Sequence, residues 1–292
     1  MRSNIISYFR RLGIPILKKF LAALLCSLPF AASAADLPRA MPVKAPVAVI
    51  ASDWTGAYIG VHVGYGWGTS NTSVTPGNSW IGDPDWPNVN AASTNSLKPN
   101  GPFGGAQIGY NQQFKNFLLG IEADFSYFGM KKSANSGTIA CLPNPDCAGG
   151  TFSVYTETKG NWVSTIRPRL GWVNGNTLLY VTGGLAIADV GYSQSINFFS
   201  TVLDDLPHTP DGGGANAGSV SKTQVGWALG VGGEYRLDQN WSLKAEYLHI
   251  DLGSQGFNST YVEPPPFGRT FSVSHTQELT LDTVRLGLNR HF

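Results

Sequence analysis

The last fourteen residues of the chain, LTLDTVRLGLNRHF (Leu279–Phe292), decide the fold class. Large apolar side chains alternate there with small, polar or charged ones. The apolar set is Val284, Leu286, Leu288 and Phe292, and the opposite set is Thr283, Arg285, Gly287, Asn289 and His291. A period of two predicts a β-strand with two unlike faces. About 9–11 residues are enough for such a strand, when tilted, to cross a bilayer.

Seven earlier segments show the same alternation. They are Trp54–Thr69, Phe103–Phe114, Phe117–Gly129, Asn161–Val173, Thr177–Val190, Thr223–Leu237 and Trp241–Leu252. Strands of soluble sheets usually run about 5–6 residues. Eight long strands in succession therefore favour a chain that crosses a thick apolar layer.

The apolar face must lie outside if these strands close into a barrel. An eight-stranded barrel is only wide enough inside to be filled by side chains, and five or six bulky residues from each strand would not fit there. The opposite face consists of Gly, Ala, Ser, Thr and charged residues, which suit a narrow polar lumen. This arrangement predicts a lipid environment, because a closed barrel satisfies its backbone hydrogen bonds within a bilayer.

The connections between the segments alternate in length. Short turns are predicted at 115–116, 174–176 and 238–240, and long links rich in Pro and Gly at 70–102, 130–160, 191–222 and 253–278. The sequence thus predicts an all-β fold, an eight-stranded antiparallel transmembrane up-and-down β-barrel with four long extracellular loops and short periplasmic turns. Aromatic girdles at the lipid interfaces are expected from Trp54, Tyr58, Phe114, Phe117, Trp162, Trp172 and Trp241.

The first 35 residues predict a cleaved secretory signal. A basic stretch precedes the short apolar run Phe20–Phe30, and small residues follow at 31–35. The apolar run is too short to cross a bilayer as a helix. Residues 36–53, rich in Pro and Ala, predict a periplasmic lead-in. The barrel is therefore assigned to 54–292, after Sec-type export to the outer membrane.

Two cysteines follow the signal, Cys141 and Cys147, in a link rich in Pro and Gly. Disulfides persist in exported proteins, and no His or further Cys lies nearby to complete a metal site. The pair therefore predicts a disulfide that braces a loop.

Four stretches carry a family resemblance. They are WTGAYIG (Trp54–Gly60), GWALGVGGEY (Gly226–Tyr235), WSLKAEY (Trp241–Tyr247) and VRLGLNRHF (Val284–Phe292). Together they resemble the small outer-membrane surface antigens of alphaproteobacteria, known as porin-family or OmpA-like transmembrane barrels. The resemblance covers residues 54–292 and implies that the outer-membrane assembly machinery recognises the last strand through Phe292. Arg290 departs from the apolar alternation, and we expect its long side chain to reach the headgroups.

Charged residues on the inward face form the main candidate site. They are Glu122, Asp124, Arg167, Arg169, Glu234, Arg236, Lys244, Glu246 and Arg285. Two carboxylates at a cleft could serve acid–base catalysis, but a lumen this narrow leaves little space for a substrate. We therefore expect a structural network of salt bridges that fills the lumen and satisfies its buried charges.

The predicted function is that of an integral outer-membrane protein with a structural, surface-display role. Its expected partners are membrane lipid and the assembly machinery. A net charge of +1 gives no sign of a nucleic-acid partner. No catalytic, cofactor or metal residues are predicted, and an enzyme is not expected. The alternatives are a small-solute channel, a surface barrel that binds haem or another ligand through His208 or His275, and a soluble lipocalin-like barrel.

Overall fold

The computed structural model describes residues 53–142, 150–199, 214–263, 265 and 268–292. Among them no helix has the length and hydropathy needed to span a bilayer. The elements in chain order are β1 (Gly56–Asn78), α1 (Trp86–Ser93), β2 (Asn95–Leu97), β3 (Asn100–Phe114), β4 (Phe117–Asn135), β5 (Ile139–Ala140), β6 (Thr151–Asn174), β7 (Thr177–Phe199), β8 (Gly214–Arg236), β9 (Trp241–Val262) and β10 (Thr270–His291).

The eight long strands form a closed antiparallel sheet. Each pairs with the next long strand along the chain, and β10 pairs with β1 from Tyr58↔His291 to Asn78↔Phe271. The short strands β2 and β5 add to β1 and β6. Closure removes the exposed sheet edges that a lipid environment would not tolerate. The predicted eight-stranded up-and-down barrel is confirmed.

Tight turns join the strands at one end of the barrel, which we call the lower end. Lys115 adopts a positive φ of 56° between β3 and β4, and Gly175 adopts 57° between β6 and β7. The Asn-Gly pair at 174–175 suits this conformation, since glycine meets no steric penalty there. These turns lie where the sequence predicts them.

The strands continue past their predicted ends at the other, upper end. For example, β6 begins at Thr151 rather than at Asn161, and β7 runs to Phe199 rather than to Val190. We call this added part, residues 70–78, 130–135, 151–160, 191–199, 214–222, 253–262 and 270–278, the upper extension. The predicted long links are therefore partly β-strand, and the connections that remain are 79–99, 136–150, 200–213 and 263–269.

The hydrophobic alternation reverses at the upper extension, which explains why the strand prediction stopped there. Along β6, Ile166 and Leu170 face outward, whereas Phe152 and Val154 are buried inside the barrel. An apolar outside and a charged inside suit lipid, while a polar outside and an apolar inside suit water. The reversal marks the upper limit of the lipid-facing surface.

An apolar belt surrounds the lower part of the barrel. Its exposed members include Ile59, Val61, Val63, Ile108, Leu119, Ile121, Ile166, Leu170, Leu179, Val181, Leu229, Val231, Leu243, Leu286 and Leu288. Phe114, Phe117, Trp172 and Trp241 are exposed at its lower rim, as the girdle prediction requires. The prediction is wrong for Trp54 and Tyr58, both fully buried inside the barrel.

Two different reasons place these aromatic residues inside. Tyr58 shares the inward parity of Gly60 and His62 on β1. Trp54 precedes the strand, and the chain turns at Gly56, whose φ of +135° is one that side-chain-bearing residues rarely adopt. The turn carries Trp54 back into the lower mouth of the barrel.

Interior side chains form layers along the barrel axis. The inward residues of β4 show the order from the lower end upward: Leu118, then Glu122 and Asp124, then Phe128 and Met130. Leu118 belongs to a lower apolar cluster with Trp54, Val173, Leu178 and Tyr180. Phe128 and Met130 belong to a middle apolar cluster that includes Phe103, Val163, Leu248, Ile250 and Leu281.

Above the middle cluster the interior becomes polar and then apolar again. The polar layer contains Thr72, Thr156, Gln194, His275 and Gln277. The upper apolar cluster contains Val74, Trp80, Val89, Phe152, Val154, Ile196, Phe271 and Val273. Val89 comes from α1, so this helix lies across the upper mouth of the barrel. The charged layer thus lies between two apolar clusters.

Candidate functional site in the barrel lumen

The structure brings eight of the nine predicted inward charges into one buried cluster. Its members are Glu122, Asp124, Arg167, Arg169, Glu234, Lys244, Glu246 and Arg285. They come from β4, β6, β8, β9 and β10, because each strand places every second residue inward at the same height. Four carboxylates meet four cations, so the formal charges of the cluster balance.

Arg167 lies at the centre of the charge cluster. Its Nη2 donates to Glu122 Oε1 at 2.9 Å and to Asp124 Oδ2 at 3.0 Å, and its Nη1 donates to Glu246 Oε1 at 2.9 Å. Its Nε donates to Thr165 Oγ1 at 2.8 Å. One guanidinium thereby holds carboxylates from two strands, in the fork geometry that arginine favours.

Lys244 and Arg285 close the cluster from the side opposite β4. Lys244 Nζ donates to both oxygens of Glu122 at 2.6 and 2.7 Å and lies 3.1 Å from Glu246. Arg285 donates to Glu246 Oε1 from Nε at 2.9 Å and from Nη2 at 2.5 Å, and to Asp124 at 3.3 Å. Each of these carboxylates therefore faces at least two cations.

Arg169 forms the lower part of the cluster. Its Nη1 donates to Glu234 Oε2 at 3.2 Å, and its Nε donates to Asn111 Oδ1 at 2.8 Å. The guanidinium carbon lies 4.6 Å from the ring centroid of Tyr58 and 5.2 Å from that of Tyr180. Cation–π contacts of this kind gain strength where water is excluded.

Sequence reasoning missed the neutral partners of the cluster. Tyr58 donates its hydroxyl to Glu122 at 2.7 Å, and Tyr180 donates its hydroxyl to Glu246 at 2.6 Å. Glu234 accepts from Ser242 and, at 2.6 Å, from Asn289 Nδ2. The available signal was parity, because both tyrosines interrupt a run of small residues on the inward face. A bulky phenol there needs a hydrogen-bond partner.

Arg236, the ninth predicted charge, lies apart at the lower mouth. Its guanidinium carbon is 4.8 Å from the Trp54 ring centroid, and its Nη1 donates to the carbonyl of Gln239 at 2.6 Å. The Trp54 ring makes an edge contact with His291 at 5.6 Å between centroids. These contacts place a cation and an indole together at the end where the tight turns lie.

Phe292 follows the end of β10 at the same rim. Its backbone N–H donates to the carbonyl of Ala57 at 3.0 Å, and its side chain is 68% exposed. The guanidinium carbon of Arg290 lies 5.5 Å from the Phe292 ring and 6.0 Å from the Trp241 ring. The terminal ring is thus outward-facing beside a cation at the lower edge of the apolar belt.

The charge cluster offers little chemistry. Its carboxylates are buried and already accept from several cations or hydroxyls, so none is free to take a proton from a substrate. A buried charge is costly unless it is paired and hydrogen-bonded, and each charge here is. Among the described residues no group of three or more His, Cys, Asp or Glu could hold a metal ion.

Two further predictions concern the loops. Cys141 is disulfide-bonded, whereas Cys147 lies outside the described residues, so the pairing of the two stays a prediction. Of the two histidines considered for haem, His208 also lies outside the described residues. His275 is buried and engages both ring nitrogens, so it offers no surface ligand.

A closed barrel with an apolar outer belt and a charged interior defines an integral outer-membrane β-barrel protein. The chain belongs to the family of the outer membrane protein beta-barrel domain, whose sequence model matches residues 20–292. In such proteins the tight turns face the periplasm. The upper extension and the connections above it therefore lie outside the cell.

Relatives support the same location. The chain is 31% identical over 277 residues to the 31 kDa outer-membrane immunogenic protein of Brucella melitensis, covering 93% of this chain and 97% of that protein. It is 27% identical over 235 residues to the 25 kDa outer-membrane immunogenic protein of Brucella abortus, covering 79% and 83%. Among solved structures, the chain is similar to the crystal structure of Ail from Yersinia pestis, with 12% identity, a TM-score of 0.32, and coverage of 82% of this chain and 99% of that chain.

Proposed function

We propose that this protein is a structural, surface-display component of the outer membrane, with a lumen that its own side chains fill and with no enzymatic activity. The barrel anchors the chain, and the upper extension presents the connecting loops to the surroundings. One observation carries the proposal: the charge cluster spans the lumen between the lower and the middle apolar clusters. Ions and solutes would have to pass all three.

The charge cluster supports a closed lumen because its members bridge opposite walls. Arg167 from β6 and Arg285 from β10 both donate to Glu246 of β9, while Glu122 of β4 accepts from Lys244 of β9. An open path through this layer would require several of these buried pairs to separate. Breaking even one such pair costs about 3–5 kcal/mol.

The upper end adds further support. The indole of Trp80 packs within 5.6 Å of the rings of Trp86, Phe198 and Phe271, and Val89 of α1 is fully buried beneath them. Asp85, just before α1, accepts from the backbone N–H of Leu142 at 2.8 Å. The helix thus covers the upper mouth and is held by a second connection.

The relatives support surface display. Two Brucella relatives are described as immunogenic outer-membrane proteins, which is the behaviour expected when loops on such a barrel are accessible from outside the cell. We extend this property to the present chain as part of the proposal. The exposed Phe292 side chain supports the further proposal that the assembly machinery recognises the last strand.

Planar-bilayer recording tests the closed lumen directly. The purified protein, refolded with the Cys141 disulfide intact, should give no steady conductance on the nanosiemens scale, whereas an open porin in the same bilayer should. A shift in mobility between unboiled and boiled gel samples verifies that the tested protein is a folded barrel. Steady conductance from the folded protein would overturn the proposal and favour the small-solute channel.

A further inference from the structure

His275 lies inside the upper extension, far above the apolar belt. It is nine residues before Val284, the first exposed apolar residue of β10, which is about 30 Å along an extended strand. It is only 1% exposed. Its neighbours in the ladder are Val74 of β1 and Phe257 of β9.

Both ring nitrogens of His275 are engaged by neutral partners. Nδ1 lies 2.7 Å from Gln194 Oε1, and Nε2 lies 2.8 Å from Ser259 Oγ. Because an amide oxygen can only accept, Nδ1 carries the proton and Nε2 accepts from the Ser259 hydroxyl. Both partners are uncharged and could also accept from a protonated imidazole, so burial without a neighbouring negative charge, and not the hydrogen-bond pattern, disfavours the charged form.

Gln194 connects His275 to α1. Its Nε2 donates to the carbonyl of Ser93, the last residue of α1, and to Thr156 Oγ1, both at 2.8 Å. The Ser93 carbonyl can only accept, which fixes the orientation of the Gln194 amide and points its oxygen at His275. One side chain thus links the imidazole to the helix that covers the upper mouth.

His275 also supports a seam of the upper wall where the backbone ladder is missing. The β8–β9 ladder ends at Trp227↔Asp251, although β8 continues up to Gly214 and β9 up to Val262. Above that point the two strands meet through side chains. A Cβ added to Gly218 would lie 3.0 Å from the Phe257 ring and 3.1 Å from Ser259 Cβ.

Phe257 and Ser259, the residues that meet Gly218 at this seam, both rest on His275. The Phe257 ring stacks on the imidazole with centroids 4.5 Å apart and planes 9° apart. Ser259 donates to its Nε2. Side-chain contacts that depend on one imidazole therefore replace the missing backbone ladder.

We propose that His275 is an acid-sensitive latch, whose protonation frees α1 from the upper mouth and loosens the seam between β8 and β9. The residues beside His275 are Val74 of β1, Gln194 of β7, and Phe257 and Ser259 of β9. Behind them, Thr156 of β6 and Ser93 of α1 bond to Gln194, and Gly218 of β8 lies next to Phe257 and Ser259. None of these residues is titratable, so among the described residues nothing compensates a positive charge at this position.

The direction of the response follows from burial. Removal from water lowers the pKa of His275 to about 4, against an ordinary value of 6.5 when the imidazole is exposed. Because its pKa is depressed in the closed state, His275 contributes its full stabilisation to that state above pH 6.5. This contribution is lost as the pH falls toward 4. Between pH 8 and pH 5 the ratio of open to closed states should rise about thirtyfold.

Hydrogen exchange of the whole refolded barrel in lipid discs tests the latch between pH 8 and pH 4. After correction for the intrinsic exchange rate, amides of 86–93 and 214–224 should lose about tenfold or more in protection on going to pH 5. His275→Gln, which cannot be protonated, should remove this pH response. His249→Gln is the matched control, because His249 faces outward against Asp282, and it should respond as the wild type does.

Two outcomes would overturn the proposal. One is protection that does not change with pH in the wild type, and the other is an equal pH response in His275→Gln. If His275→Gln does not fold, NMR titration of the wild-type imidazole replaces it. A midpoint near 6.5 with the upper extension still protected would then refute the latch, whereas a depressed midpoint that coincides with loss of protection supports it.

Discussion

Replacing Glu122 with glutamine should strongly destabilise the barrel. Glu122 Oε1 accepts from Arg167 Nη2 and Lys244 Nζ, and Oε2 accepts from Tyr58 Oη and Lys244 Nζ. Either orientation of the new amide therefore turns an –NH2 group toward donors. The change also leaves the buried cluster with four cations against three carboxylates.

The size of the loss in unfolding free energy follows from the cost of a buried charge that has lost its partner. Removal of one member of a buried pair costs about 3–5 kcal/mol, because the remaining charge is left desolvated. Glu122→Gln should lower the free energy of unfolding by this amount. Adding Lys244→Met should restore the charge balance and recover at least half of the loss, since the two residues belong to one network.

Equilibrium urea unfolding in lipid vesicles, followed by tryptophan fluorescence, measures this free energy. Glu278→Gln is the matched control, because Glu278 faces outward in the upper extension and is exposed. A surface change of this kind should stay within about 0.5 kcal/mol of the wild type. If Glu122→Gln is as mild as Glu278→Gln, the cluster does not stabilise the fold in the way argued.

Other perturbations give distinct results. Trp54→Ala should cost about 3–5 kcal/mol in the same unfolding assay, because it empties the lower mouth beneath Arg236; a change below about 1 kcal/mol would mean that Trp54 does not pack there in solution. Gly226→Ala should cost about 1–3 kcal/mol, since its Cβ would lie 1.9 Å from the carbonyl oxygen of Asp251. Gly233→Ala, whose Cβ would come no closer than 3.3 Å to any atom, should be tolerated, and equal losses would contradict this steric argument. Deletion of Phe292 should reduce the amount of heat-modifiable protein in outer membranes while leaving detergent refolding intact; normal membrane levels would count against recognition of the last strand.

The lipid-facing strands could be predicted because their pattern is local. Alternation along a strand assigns each residue to one face regardless of its partners, so the positions of Ile121 and Arg167 follow from parity alone. The same reasoning should have placed Tyr58 inside, where its hydroxyl binds Glu122. The prediction failed there because aromatic residues near strand ends were assigned to the girdle by type and not by parity.

The upper extension was harder to predict because its pattern changes sign. Phe152 and Ile196 face inward, whereas apolar residues lower on β6 and β7 face outward. Each half of the strand alternates by itself, but the apolar side chains change from the outer to the inner face where the two halves meet. A pattern with one apolar face therefore ends at that point. The medium outside the barrel decides which face is apolar, and that medium changes from lipid to water along the same strand.

The sequence by itself determined the number of strands, their order, the face that meets lipid, and the identity of the inward charges. These properties depend on the period of the chain and on nearest neighbours. Only the tertiary structure decided which charges meet, that Trp54 turns into the lower mouth, and that His275 links β9, β7 and α1. Those contacts join residues that lie far apart in sequence, 163 positions in the case of Arg285 and Glu122. Barrel closure and strand register bring such residues together, and no local pattern encodes either.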